Sequence, residues 1–249
     1  MGNYNNFSLF YDIFTLDVDY KGRTEYLLKI FNKWDKTPKL LLDFACGTGN
    51  FSIQFAKRGI DVIGVDSSEG MLAAAQDKNK GLKNKVLYLN QSGSELDLYG
   101  TVDGAVCCLD SLNHITDSEE LQKTISKISL FLEPGCLFVF DMNTLYKHIN
   151  VLDDSTYRMK KRGVECVWTN TLLKDGVTVE IELNFTYKTG LFKRETVTEI
   201  IREKAYTNEE ITEMLKAAGL KLEAVYGENT FDIPKENSQR NIYIARKVK

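Results

Sequence analysis

The sequence predicts an α/β protein: a doubly wound sheet of about seven strands, mostly parallel, carrying an inserted three-stranded antiparallel sheet. Three observations lead there. Short apolar runs alternate with helical patterns from residue 40 to 141, and that alternation makes βαβ units with a sheet covered on both faces. Residues 177–187 alternate apolar and polar side chains with a period of two, the mark of an antiparallel strand with one buried face. Between the first strand and the first helix of the parallel region, an acid leads into a run of small residues.

The elements follow in order. Leu40 to Phe44 form a buried strand, residues 50–57 a helix with Phe51, Phe55 and Ala56 inward, and residues 62–66 a second strand. Ser67 can cap a helix that runs to about Asn79. Residues 86–89 and 102–109 are the third and fourth strands. Asp117 with Glu120 resembles a capping box for a helix ending near Leu132. Pro134-Gly135 turns the chain into a fifth strand, residues 137–141.

The pattern then changes. Asp175-Gly176 and Lys188-Thr189-Gly190 are turn signals on either side of the alternating strand, so residues 163–202 form the antiparallel insert. Thr207 and Glu210 form a second capping box, and Gly219 ends that helix. Residues 220–226 and 241–245 are the last strands. Residues 1–144 and 205–249 are thus expected to build the main domain, and residues 145–204 an inserted β subdomain whose apolar face packs over the carboxyl edge of the parallel sheet, roofing the acceptor site, the alternative being the same sheet of a second subunit.

Composition excludes several classes. A chain of 249 residues can bury about three quarters of its unfolded surface and needs no staples. A net charge of −3 argues against nucleic acid, whose phosphates call for a basic surface. No apolar run is long enough to span a membrane, and the first residues do not resemble a secretory signal. Five cysteines without a CxxC pair read as buried reduced thiols of a cytoplasmic protein. Two histidines are too few for a histidine-based metal site, and no metal is expected.

The chemistry lies in Leu41-Leu42-Asp43-Phe44-Ala45-Cys46-Gly47-Thr48-Gly49-Asn50. Small residues let a ligand approach the backbone, and the helix start offers free N–H groups. Asp66, at the end of the second strand, is set to hold a ribose diol. Two cofactors compete for this layout. A nicotinamide dinucleotide would lay its pyrophosphate on the turn, but Ser52 replaces the third glycine and Asp43 would repel the phosphates. S-adenosylmethionine has no phosphate and carries two cationic groups that Asp43 favours.

The segment resembles the first motif of class I S-adenosylmethionine-dependent methyltransferases, which share a Rossmann-like domain. Val65-Asp66-Ser67-Ser68 resembles their second motif, and Cys108-Leu109-Asp110-Ser111-Leu112-Asn113-His114 the fourth-strand loop of the small-molecule branch. Leu132-Glu133-Pro134-Gly135-Cys136-Leu137-Phe138 resembles the turn before strand five. The insert and a Tyr11-Asp12 pair resemble small-molecule N-methyltransferases, including those acting on amino sugars.

The resemblance implies roles. Asp43 would lie near the methionine ammonium, Gly47 and Gly49 would admit the cofactor, and Asp66 with the Ser67 turn would bind the ribose. Met71 would pack near the adenine, Leu109 would flank the methionine part, and Ala45 and Cys46 belong to the same turn. Ala45 stands where a glycine is usual, tolerable if its φ is negative. Gln91 or Ser92 stands in for the usual acid after strand three. Tyr11 and Tyr20 would close over the cofactor, the alternative being an aromatic N-terminal helix packed on the sheet.

Methyl transfer from a sulfonium is an in-line displacement with an activated leaving group, so positioning supplies much of the acceleration. An amine acceptor must lose a proton, for which water can suffice, whereas a hydroxyl acceptor would want a base; His114 is the candidate, loop packing or capping being the alternative. Tyr146, His148 and Arg194 are candidate acceptor contacts. The absence of an Asn/Asp-Pro-Pro-aromatic motif and of a Pro-Cys nucleophile disfavours nucleic-acid base methylation. The expected partner is a small molecule, nitrogen rather than oxygen its methylated atom, and the protein a monomer or homodimer. The competing readings are a non-catalytic S-adenosylmethionine-binding module and a nicotinamide-dependent oxidoreductase.

Overall fold

Apolar strands with no polar alternation must be covered on both faces, and the central strand β1 (Leu40–Phe44) is so covered: Leu41 and Leu42 are fully buried. The computed structural model describes residues 8–34, 37–190 and 193–248, apart from the side chain of Leu9. Beside β1 lie β2 (Asp61–Asp66), β3 (Leu87–Asn90), β4 (Gly104–Cys107) and β5 (Leu137–Asn143). After an inserted sheet, β10 (Leu220–Gly227) and β11 (Arg240–Lys247) return to complete seven strands in the order β10-β11-β5-β4-β1-β2-β3. The pairs among β1 to β5 are parallel, whereas β11 runs antiparallel to both β5 and β10.

Helices cover the two faces separately. α2 (Tyr20–Trp34), α3 (Asn50–Ala56) and α4 (Glu69–Asn79) bury Phe31, Phe55 and Ala75 against one face. α5 (Ser118–Phe131) and α7 (Asn208–Ala217) bury Leu121, Ile125 and Leu215 against the other. Asp117 caps its helix by accepting two backbone N–H groups, but the Glu120 carboxylate pairs with Lys123 and does not complete the expected box; Thr207 and Glu210 cap each other as expected. The cap of α4 is Ser68, whose hydroxyl accepts from Met71 N, and not the exposed Ser67.

The insert has four strands where the sequence suggests three. β6 (Thr156–Lys161), β7 (Val164–Leu172), β8 (Thr178–Lys188) and β9 (Arg194–Lys204) pair antiparallel in chain order. β6 escapes the pattern because it is an edge strand of basic and half-exposed residues; edges carry such charges and do not alternate. The apolar face of β8 buries Val179, Ile181, Leu183 and Phe185. Helix α1 (Ser8–Phe14) covers it, with Phe10 stacked on Phe185 at 4.9 Å and Phe14 tilted against the same ring at 5.4 Å. Between β5 and the insert, α6 (Leu145–Lys147) runs into a wide turn (His148–Leu152) that buries Leu152 against this cluster.

Candidate functional site

The order of β1, β2 and β4 makes β1 the point where the chain reverses direction across the sheet, and doubly wound sheets open a crevice there at the carboxyl ends of their strands. The turn after β1 lies at that edge. Cys46 N donates to Val65 O at 3.0 Å, and Gly49 N closes back on Cys46 O at 2.9 Å. Asp66 holds the turn from the neighbouring strand: Oδ2 accepts Gly47 N at 2.8 Å, and Oδ1 accepts Ser68 N at 2.9 Å. Burial raises the Asp66 carboxyl, and these backbone donors offset part of the rise.

The turn uses left-handed backbone repeatedly. Ala45, Gly47 and Gly49 have φ of 54°, 54° and 74°. The condition set for Ala45, a negative φ, is not met; its side chain sits in a conformation that suits glycine, because the bonds on either side fix the turn. The two glycines differ. A Cβ at Gly49 would overlap the Tyr88 hydroxyl, whereas a Cβ at Gly47 would meet no protein atom within 4 Å. Gly47 thus opens onto the crevice.

Asp43 forms the floor. It is 1% exposed and accepts the Ser52 hydroxyl at 2.5 Å. Burial pushes its carboxyl up to about 7, with the Ser52 bonds pulling the other way. The cleft above it is walled by Tyr11, Tyr20, Cys46, Gly47, Cys108 and Leu109. A carboxyl poised near neutrality below an open backbone suits a cation in the cleft.

On the far side of the cleft, two successive residues after β4 adopt left-handed backbone: Leu109 at φ 58° and Asp110 at φ 54°. Asp141, on β5, accepts both of their N–H groups, at 2.9 and 2.5 Å. Asn143, two residues on, gathers four elements. Its amide nitrogen donates to Asp110 and to Glu203 of β9, the latter at 2.8 Å. Its carbonyl oxygen accepts Lys147 at 2.9 Å and Arg240 at 3.4 Å. Arg240 also pairs with Asp110 at 3.0 Å and Asp141 at 3.6 Å. Burial alone would raise Asp110, but Arg240 and Lys147 hold it below the usual carboxylate range. Asn113 ties the insert on: it donates to Asn143 O and Lys204 O, and accepts Asn143 N.

The signature of the methyltransferase domain family matches residues 41–135, which hold β1 to β4, the turn and the loop after β4. A putative methyltransferase of Bacillus subtilis (strain 168) is 31% identical over 84% of this chain and 84% of its own length. Another, of Geobacillus sp. (strain WCH70), is 28% identical over 98% of this chain and 99% of its own. Among solved structures, an S-adenosylmethionine-dependent methyltransferase from Clostridium acetobutylicum ATCC 824 superposes with a TM-score of 0.88 at 29% identity, covering 99% of both chains. The chain belongs to the class I S-adenosylmethionine-dependent methyltransferases. Its cofactor is S-adenosylmethionine, and the nicotinamide alternative falls away. The residues present fit that group: the methyltransferase keeps Gly47 open to the cleft, an acid at the end of each of two adjacent strands, and no basic side chain among those that wall the cleft.

Other expected site residues fall as follows. Met71 is buried behind the Ser68 cap. Both ends of the Gln91 amide bond the Asp97 backbone, and Ser92 bonds Glu95, so these side chains close their own loop. His114, three residues beyond Ser111 of the cleft wall, is not itself among the walling residues; its Nε2 lies 3.8 Å from Glu203. The expected acceptor contacts fare differently. His148 is fully buried, donates from Nδ1 to Val177 O at 2.8 Å, and faces Glu203 at 3.7 Å, so the ring is enclosed by protein. Arg194 sits on the outward face of β9, half exposed and paired with Glu165 at 2.9 Å. Tyr146 is 36% exposed and does not wall the cleft. The inward face of β9 instead carries Glu199, Ile201 and Glu203. Sequence reading passed over Glu203, Asn143 and Arg240; the period-two pattern of β9 was the signal that could have found Glu203, since it puts a carboxylate on the buried face. Among the described residues, no group of three or more side chains is arranged to hold a metal ion, and no helix is long and apolar enough to cross a membrane.

Proposed function

We propose that the methyltransferase transfers its methyl group to a small molecule, at nitrogen, with residues 145–204 as the roof of the acceptor site. One observation carries the reading. β9 brings the buried carboxylate of Glu203 opposite His114, while the cations nearby, Arg240 and Lys147, are engaged by Asp110 and Asp141. An acceptor seated under the insert would lie near an imidazole and a carboxylate, which suit a basic amine better than an anion.

Bound S-adenosylmethionine supplies the methyl group on an activated leaving group. The chain's own residues do the rest. Asp66 and Gly47 hold the ribose side, Asp43 balances the cationic end, and Tyr11, Tyr20 and Leu109 keep water from the cleft. His114 takes the proton that an ammonium acceptor sheds before its lone pair can attack. The Tyr11-Asp12 pair and the insert, which resemble small-molecule N-methyltransferases, support the same reading. Five free cysteines fit a reducing compartment, the cytoplasm, and the protein acts on small molecules, not nucleic acid, as a monomer or homodimer. The test is transfer of labelled methyl from the cofactor into a metabolite extract, with identification of the product. A labelled N-methyl compound supports the reading; labelled oxygen, carbon or nucleic acid overturns it.

A further inference from the structure

Helix α1 has seven residues, too few to persist by itself in water. It is held from two sides. Its aromatic side packs on the insert through Phe10 and Phe14. Its polar side reaches the cofactor turn through Asp12, whose Oδ1 accepts the Thr48 hydroxyl at 2.7 Å and the Asn50 amide at 3.0 Å. The other oxygen pairs with Lys78 of α4 at 2.6 Å. Lys78 closes the ring of contacts by donating to Thr48 O at 3.0 Å and Asn50 Oδ1 at 2.8 Å. Tyr11, next to Asp12 on the same helix, walls the cleft above Gly47 and Leu109.

We propose that Asp12 and Lys78 are positioning residues for the cofactor: together they clasp α1 across the Thr48–Asn50 turn and fix Tyr11 over the cleft, so that the cofactor leaves only when the clasp opens. The proposal rests on the cleft being the cofactor site. It assigns Lys78 a function that nothing in the chemistry of methyl transfer demands. It also explains why an ion pair spans α1 and α4 at the mouth of the cleft. Desolvation opposes the charge on both partners, yet Asp12 is held below the usual carboxylate range by Lys78, Thr48 and Asn50. A clasp of this kind acts on escape more than on capture, because the element it holds closes over ligand already bound and must open before release.

The test measures release of tritiated S-adenosylhomocysteine from the full chain by a chase with unlabelled ligand. Asp12→Asn and Lys78→Met should each raise the dissociation rate about fivefold or more, with the association rate changed less than twofold. The double variant should be little worse than either single one, since both break the same clasp. Thr48→Val, which removes the hydroxyl contacts to Asp12 and Asn50 and no charge, should raise it about twofold and serves if a charge variant folds poorly. Lys80→Met removes a charge from the same part of the chain, where Lys80 pairs only with Asp77 on the surface, and should leave the rate unchanged. Unchanged release in both charge variants, or an equal rise in Lys80→Met, overturns the clasp. Undiminished affinity in both Asp66→Ala and Gly47→Val would instead overturn the cleft as the cofactor site.

Discussion

The Ser52 hydroxyl donates to the buried carboxyl of Asp43 at 2.5 Å, joining the first helix after the turn to the end of the central strand. This bond acts against burial in fixing the charge state of the cleft floor. It partly offsets the burial that holds Asp43 at about 7, so the group is divided between its two forms near neutral pH.

A cationic ligand above Asp43 favours its ionised form. Binding of S-adenosylhomocysteine, whose ammonium would lie nearby, should therefore release protons near neutrality and tighten as pH rises from 5.5 to 7.5. Calorimetry in buffers of different ionisation heat measures the release. Asp43→Asn should flatten the dependence, and an unaltered slope in that variant would refute the placement. Without ligand the sign reverses. An acid raised from about 4 to about 7 disfavours its charged form in the folded chain, so its contribution makes stability fall across that window and level off above it.

Asp66→Ala should weaken S-adenosylhomocysteine binding at least tenfold by calorimetry. Its two oxygens already accept backbone N–H groups, and each keeps a lone pair for one ribose hydroxyl, worth roughly 1.5–3 kcal/mol apiece. Far-ultraviolet circular dichroism should not change.

The turn gives three separable outcomes. Gly47→Val should abolish binding, because its side chain would enter the cleft and meet no protein atom; the left-handed φ of 54° adds backbone strain that lowers stability without unfolding the chain. Gly49→Ala should instead lower the melting temperature, through overlap with Tyr88. Ala45→Gly should leave stability level or raise it by up to about 1 kcal/mol: relief of roughly 1–2 kcal/mol of left-handed strain exceeds the added freedom of the unfolded chain.

The two faces of β9 predict opposite results. With an acceptor in hand, Glu203→Gln should raise its KM or lower kcat at least tenfold while the Kd for S-adenosylhomocysteine changes less than twofold. Arg194→Ala, on the outward face, should alter neither. Steady-state kinetics would reject the roof if Arg194→Ala matched Glu203→Gln.

The sequence alone determined the parallel sheet, the turn that follows β1 and the kind of cofactor, because those rest on local signals. Runs such as Leu40-Leu41-Leu42 have only one environment that suits them, and an acid followed by small residues constrains the backbone within a few positions. The caps at Asp117 and Thr207 were legible for the same reason. Tertiary structure decided what depends on contacts across long separations. Ala45 takes a positive φ because Val65 and Asp66, on the next strand, fix the turn around it. β6 joins the insert as a basic edge that no alternation announces. Arg194 and Glu203 lie on the same strand, and only the packing of β9 against the loop after β4 sends the first to solvent and the second to His114. A strand's period reveals that two faces exist; which face meets the site is fixed by what the sheet packs upon.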